Sequence, residues 1–156
     1  NLSMCKATAH GNSINSMLGL NEGISGGDEE ALLLDNEGYV AEGSGENIFI
    51  MRDGVLHTPE LTSCLEGITR ATIMDFAREL NIPIKERRIT RDEVYIADEA
   101  FFTGTAAEVL PIRELDGRVI GAGKRGPVTE KLQAMYFDAV KGKLAEHSGW
   151  LTHVKG

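Results

Sequence analysis

Gly38-Tyr39-Val40-Ala41-Glu42-Gly43-Ser44-Gly45-Glu46-Asn47-Ile48-Phe49 sets two apolar pieces on either side of a glycine-rich acidic loop. Tyr39 and Val40 begin a strand that runs into Glu42, and Asn47 opens a second strand over residues 47–51. Asp53-Gly54 then separates that strand from residues 55–58, and an Asp-Gly pair between apolar runs predicts a two-residue hairpin. Upstream, residues 31–34 read as a buried strand closed by the turn Asn36-Glu37-Gly38, and Ile14, Met17, Leu18 and Ile24 give a modest helical pattern.

Downstream the period changes. Ile73, Phe76, Ala77 and Leu80 recur at helical spacing until Asn81 and Pro83 stop the helix. Ile82, Ile84 and Ile89 mark a partly alternating strand, followed by a short helix over residues 92–97. Residues 99–102 form a strand entering Thr103-Gly104-Thr105-Ala106-Ala107. Residues 109–115 and 118–120 flank Asp116-Gly117 as a second hairpin. Pro127 opens a last helix whose buried stripe is Val128, Leu132, Met135, Tyr136 and Ala139. With no repeat and no internal boundary, hairpin-linked strands among helices predict one mixed α/β domain over residues 1–156.

Bulk properties narrow the partners. A net charge of −8 argues against nucleic acid or an anionic membrane surface. No apolar run is long enough to span a bilayer. Cys5 and Cys64 lack metal-type spacing, which favours a reduced, cytoplasmic setting, and the four scattered histidines argue against a metal. Asn1 to Thr8 do not read as a native start, so the chain is expected to begin inside a longer protein.

Three short motifs carry possible chemistry, each with an ordinary alternative. Glu42-Gly43-Ser44-Gly45-Glu46-Asn47 is either a turn between solvated acids or a carboxylate placed where backbone approaches a ligand. A carboxylate beside a heterocyclic nitrogen keeps that nitrogen protonated. Gly67-Ile68-Thr69-Arg70 at a helix start offers free amides and a hydroxyl to an anion, unless Thr69 is simply the N-cap. Thr103 to Ala107 are small residues at a strand end, where amides and hydroxyls bind phosphate or carboxylate or merely turn the chain. Lys6, the one lysine upstream of these loops, reads by itself as a surface residue.

Taken in order, these stretches resemble the fold-type IV pyridoxal-phosphate enzymes. Glu30 to Phe49 is similar to the family's signature region, and Leu65 to Arg70, Ala97 to Phe102 and Thr103 to Glu108 follow in the family's sequence. Gly126 to Thr129, Tyr136 to Val140 and Gly149-Trp150-Leu151 resemble the branched-chain aminotransferase members. The resemblance implies the large C-terminal domain of that fold, with the family's N-terminal domain absent from this chain.

It also implies roles. Lys6 would bind pyridoxal 5'-phosphate as a Schiff base and shuttle the substrate proton. Glu42 would pair with the pyridine nitrogen and Leu65 would pack on the ring. Ile68, Thr69 and Thr105 would hold the phosphate, while Gly45, Thr105 and Ala106 would face the substrate. The expected activity is amino transfer from leucine, isoleucine or valine to 2-oxoglutarate by a homo-oligomeric enzyme. The alternatives are a D-amino acid or (R)-amine transaminase on the same scaffold, or a cofactor-binding piece without turnover. One departure stands out: the segment Ala7 to Ser13 lacks the tyrosine usual in the family, leaving His10 or Asn12 in its place.

Overall fold

The computed structural model describes residue 21, residues 29–62 and residues 64–152. Lys6 and the helical pattern between residues 14 and 24 fall largely or wholly outside them. The described part is the mixed α/β arrangement expected.

Strands β1 (Leu32–Leu34) and β2 (Val40–Gly43) pair antiparallel as a separate ribbon. Strands β3 (Asn47–Arg52), β4 (Val55–Thr58), β5 (Ile84–Glu86), β6 (Glu99–Gly104) and β7 (Glu108–Pro111) form the main sheet, in the order β5-β4-β3-β6-β7. Helix α1 (Ile68–Glu79) crosses over from β4 to β5, which pair in parallel. Helix α2 (Arg91–Tyr95) leads into β6, a small hairpin of β8 (Glu114–Leu115) and β9 (Arg118–Val119) follows β7, and α3 (Pro127–Val140) precedes a 3-10 helix (Ala145–Trp150).

The unbroken apolar run Ile48-Phe49-Ile50-Met51 makes sense in this setting. Side chains alternate faces along a strand, and both faces of β3 are covered. Phe49 and Met51 pack with Leu56, Ile73, Phe76, Phe101 and Leu132 under α1 and α3. Ile48 and Ile50 pack with Val40, Ile89, Val94, Ala100 and Phe102 on the other side. Phe49 and Phe101 stack across the β3–β6 seam with ring centroids 5.2 Å apart.

Both Asp-Gly turns form as expected. Asp53 and Gly54 have φ of 49° and 78°, and Asp116 and Gly117 have 50° and 70°, the paired left-handed geometry of a tight hairpin. Two elements differ from the sequence reading. The expected strand over residues 109–115 is split, because β7 pairs with β6 while β8 pairs with β9. The expected strand from Ile82 to Ile89 contracts to β5, and Ile89 instead joins the core beneath β2.

Candidate functional site

Glu42 is the penultimate residue of β2 and a buried carboxylate, 4% exposed. Its Oε2 accepts a hydrogen bond from the Leu65 backbone N–H at 3.0 Å. The Leu65 carbonyl in turn accepts from Asn47 Nδ2 at 2.8 Å, and Asn47 is itself only 5% exposed. The acidic loop is therefore not a turn between two solvated acids. One acid, Glu42, is inside, while Glu46 is half-buried and accepts from the Gly45 N–H of its own loop at 3.2 Å.

Three residues past Leu65, α1 begins. Its N-cap is Gly67, with no side-chain capping bond, so Thr69 lies inside the first turn and is not the cap. The ordinary reading of Thr69 is thereby overturned. Thr69 is buried, whereas the Ile68 side chain is 88% exposed, so Ile68 has its amide and not its side chain to offer an anion.

Helix α3 makes an instructive contrast. It too has a glycine N-cap without a side-chain cap, Gly126, but a carboxylate from the sheet serves it. Glu99 of β6 accepts from the Val128 N–H at 3.0 Å, the Thr129 N–H at 2.8 Å and the Thr129 hydroxyl at 2.7 Å. Among the described residues no side chain does this for α1. One helix start is filled by protein, and the other is left with its first amides and the positive end of its dipole available.

The third stretch, at the end of β6, is brought to the same side of the sheet. Thr103 lies opposite Asn47 in the β3–β6 register, and Thr105 and Ala106 follow in an exposed turn. Thr103 is fully buried, and its Oγ1 has no hydrogen-bond partner among the described residues. Gly104 approaches the neighbouring loop closely, since a Cβ there would lie 3.3 Å from the Gly45 carbonyl oxygen. That proximity sets the Gly45 loop against the β6 end.

Glu42 and Leu65 are joined by a hydrogen bond, Ile68 and Thr69 follow Leu65 at the start of α1, and the Gly45 loop lies against Gly104, the chain neighbour of Thr105. Lys6 lies outside the described residues. Neither of two hollows, of about 480 Å³ and 640 Å³, is lined by Glu42, Leu65 or Thr105. The smaller one is lined by Ile68 and Thr69 and lies between α1, α3 and the 3-10 helix.

Sequence reasoning gave Asn47 no role of its own, and it did not single out Glu99. A signal for Glu99 existed in Gly126-Pro127, a helix start without a capping side chain, which needs an acceptor from elsewhere.

Residues 4–115 match the profile of the family described as amino-transferase class IV. The chain belongs to that family. It is 68% identical over 155 residues to the branched-chain-amino-acid aminotransferase of Pseudomonas aeruginosa, covering 99% of this chain and 50% of that protein. It is 44% identical over 149 residues to the enzyme of the same name from Escherichia coli, covering 95% of this chain and 48% of that one. The fold superposes on the T.th. branched-chain amino acid aminotransferase complexed with N-(5'-phosphopyridoxyl)-L-glutamate, with a TM-score of 0.94 at 50% identity, covering 97% of this chain and 51% of the other. This class IV chain therefore spans about half the length of the curated relatives it matches.

Proposed function

We propose that this chain is the pyridoxal-5'-phosphate-binding part of a branched-chain amino acid aminotransferase that passes the amino group of leucine, isoleucine or valine to 2-oxoglutarate. The observation that carries the reading is the pairing of a buried carboxylate, Glu42, with an uncapped helix start three residues beyond its Leu65 partner. A cofactor with a basic ring nitrogen at one end and a phosphate at the other needs an acid and an anion site in that order. The donor set fits such a molecule.

When bound, pyridoxal 5'-phosphate supplies the electron sink that protein side chains lack. The residues do the rest. Glu42 holds a proton on the ring nitrogen by offering it a negative charge. Leu65 covers the ring. The amides of Ile68 and Thr69, with the hydroxyls of Thr69 and Thr105, hold the phosphate and so fix the cofactor's register. Gly45, Thr105 and Ala106 present backbone to the substrate carboxylate. Lys6 would carry the proton from the substrate α-carbon to the cofactor's C4′ carbon.

The reading includes a longer polypeptide, with an N-terminal domain ahead of this one, and a cytoplasmic homo-oligomer. Support for the longer polypeptide comes from the half-length match. In isolation, then, the chain is expected to bind cofactor with little or no turnover, because half of the substrate pocket is elsewhere.

Borohydride reduction with pyridoxal 5'-phosphate, followed by peptide mapping, should place the label on Lys6. A label on Lys85 or Lys124 would refute the Lys6 assignment. A leucine/2-oxoglutarate assay on the longer polypeptide tests the activity: a bound cofactor without amino transfer would contradict the proposed reaction.

A further inference from the structure

The Leu65 backbone is held on both sides of its Cα by buried side chains from β2 and β3. Glu42 takes its N–H and Asn47 gives to its carbonyl, at 3.0 Å and 2.8 Å. Asn47 also bears on α1. A Cβ at Gly67 would stand 2.2 Å from Asn47 Oδ1, far inside van der Waals contact. Gly67 has φ −77° and ψ 138°, ordinary extended backbone that any residue adopts. Its glycine is therefore demanded by the space that Asn47 occupies, not by its own conformation. One side chain sets the Leu65 peptide that orients the acid and the distance at which the helix start approaches the sheet.

We infer that Asn47 is a positioning residue: it acts on the reaction through Glu42 and Gly67, without touching substrate. This rests on the functional reading above, since it assigns Asn47 to the acid that faces the cofactor's ring nitrogen. The physical reason is an unmet carbonyl. Without Asn47 Nδ2, the Leu65 carbonyl loses its donor and the Leu65–Glu66 peptide plane turns to find water; rotation about the Leu65 Cα then displaces the preceding peptide plane, whose N–H Glu42 accepts. The carboxylate loses a bond that helps to aim it.

The test uses the full-length holoprotein with pyridoxal 5'-phosphate bound, and reads two quantities. These are the pH titration of the cofactor's visible absorption and the single-turnover rate with leucine. Asn47→Ala should move the titration midpoint in the same direction as Glu42→Gln and slow the turnover by about tenfold, within the range of couplings between contacting residues. The Glu42→Gln/Asn47→Ala double variant should then match Glu42→Gln alone, because the second change acts through the first.

Gly67→Ala approaches from the other side. It should push Asn47 aside and shift the same midpoint, and the Gly67→Ala/Asn47→Ala double variant should show the shift of Asn47→Ala alone. Gly67→Ala decides the matter if Asn47→Ala fails to fold. A wild-type titration curve in the Asn47 variant with only a lower melting temperature would overturn the inference, as would effects that simply add to those of Glu42→Gln. Failure of the wild-type protein to show any cofactor absorption would instead sink the functional reading itself.

Discussion

At the scale of single residues, the two acids of one loop are expected to behave differently. Glu42 is buried against Leu65, whereas Glu46 serves its own loop. On the proposed reading, Glu42→Gln would keep the shape but give up the charge that would hold the ring proton. Cofactor affinity should fall moderately, and the proton-transfer half-reaction should slow by roughly a hundredfold, about 2.7 kcal/mol. Glu46→Gln should change the rate little. Single-turnover kinetics with leucine checks both, and equal small effects would remove Glu42 from the chemistry. The motif drew attention to Glu42 in the sequence because its place in the family order is distinctive. Asn47 was not legible as a separate actor, since its role depends on Leu65 and Gly67, each about twenty residues away. Spacing along a strand carries no record of such a contact. The Thr69 alternative shows the same limit: a Gly-x-Thr sequence is compatible with either residue as the cap, and only the backbone turn at Gly67 decides.

Among the elements, α1 and α3 present opposite solutions to the same deficit of acceptors at a helix start. Glu99→Ala would strand two amides and the Thr129 hydroxyl in a buried place, and should cost about 3 kcal/mol of stability, the sum expected for several unmet donors. Thr129→Val keeps the amide bonds and loses only the hydroxyl, so about 1 kcal/mol is expected. Urea midpoints at constant m-value measure the two, and an equal loss from both would show that Glu99 does not cap α3. The elements themselves were largely readable from sequence, because Asp-Gly turns, Pro127 and helical spacing are local signals. The break between β7 and β8 was not, for it arises when two strands choose different partners. The parallel pairing of β4 with β5 and the closing 3-10 helix likewise depend on tertiary packing.

For the whole molecule, acid stability should fall in two stages that meet at Arg87. Its Nε donates to His57 Nδ1 at 3.1 Å and its Nη2 to Glu93 Oε1 at 2.7 Å. Burial, and then the charges of Arg87 and Lys85, hold His57 below its ordinary 6.5. The unfolded chain thus binds that proton more readily, so this contribution is intact above pH 6.5 and fades as pH falls below it. Glu93 is drawn down to about 2 by the Arg87 hydrogen bond and the Thr90 backbone. Its contribution is intact above the ordinary 4.5 and is lost between there and about 2. Unfolding midpoints measured from pH 8 to 3 should show both steps, and Arg87→Met should flatten the Glu93 step and only reduce the His57 step, which burial sustains. A protein equally stable at pH 7 and 5 would contradict the His57 part. The β3–β6 seam has a different kind of consequence. Its partners, such as Asn47 and Thr103, are far apart in the chain, while β3 and β4 are joined by a tight turn. On a ribosome, the Glu42 end of the site emerges well before the Thr105 end. The nascent chain can make its first hairpin early, but it has no complete cofactor cradle until translation has passed β6 and that strand has docked beside β3.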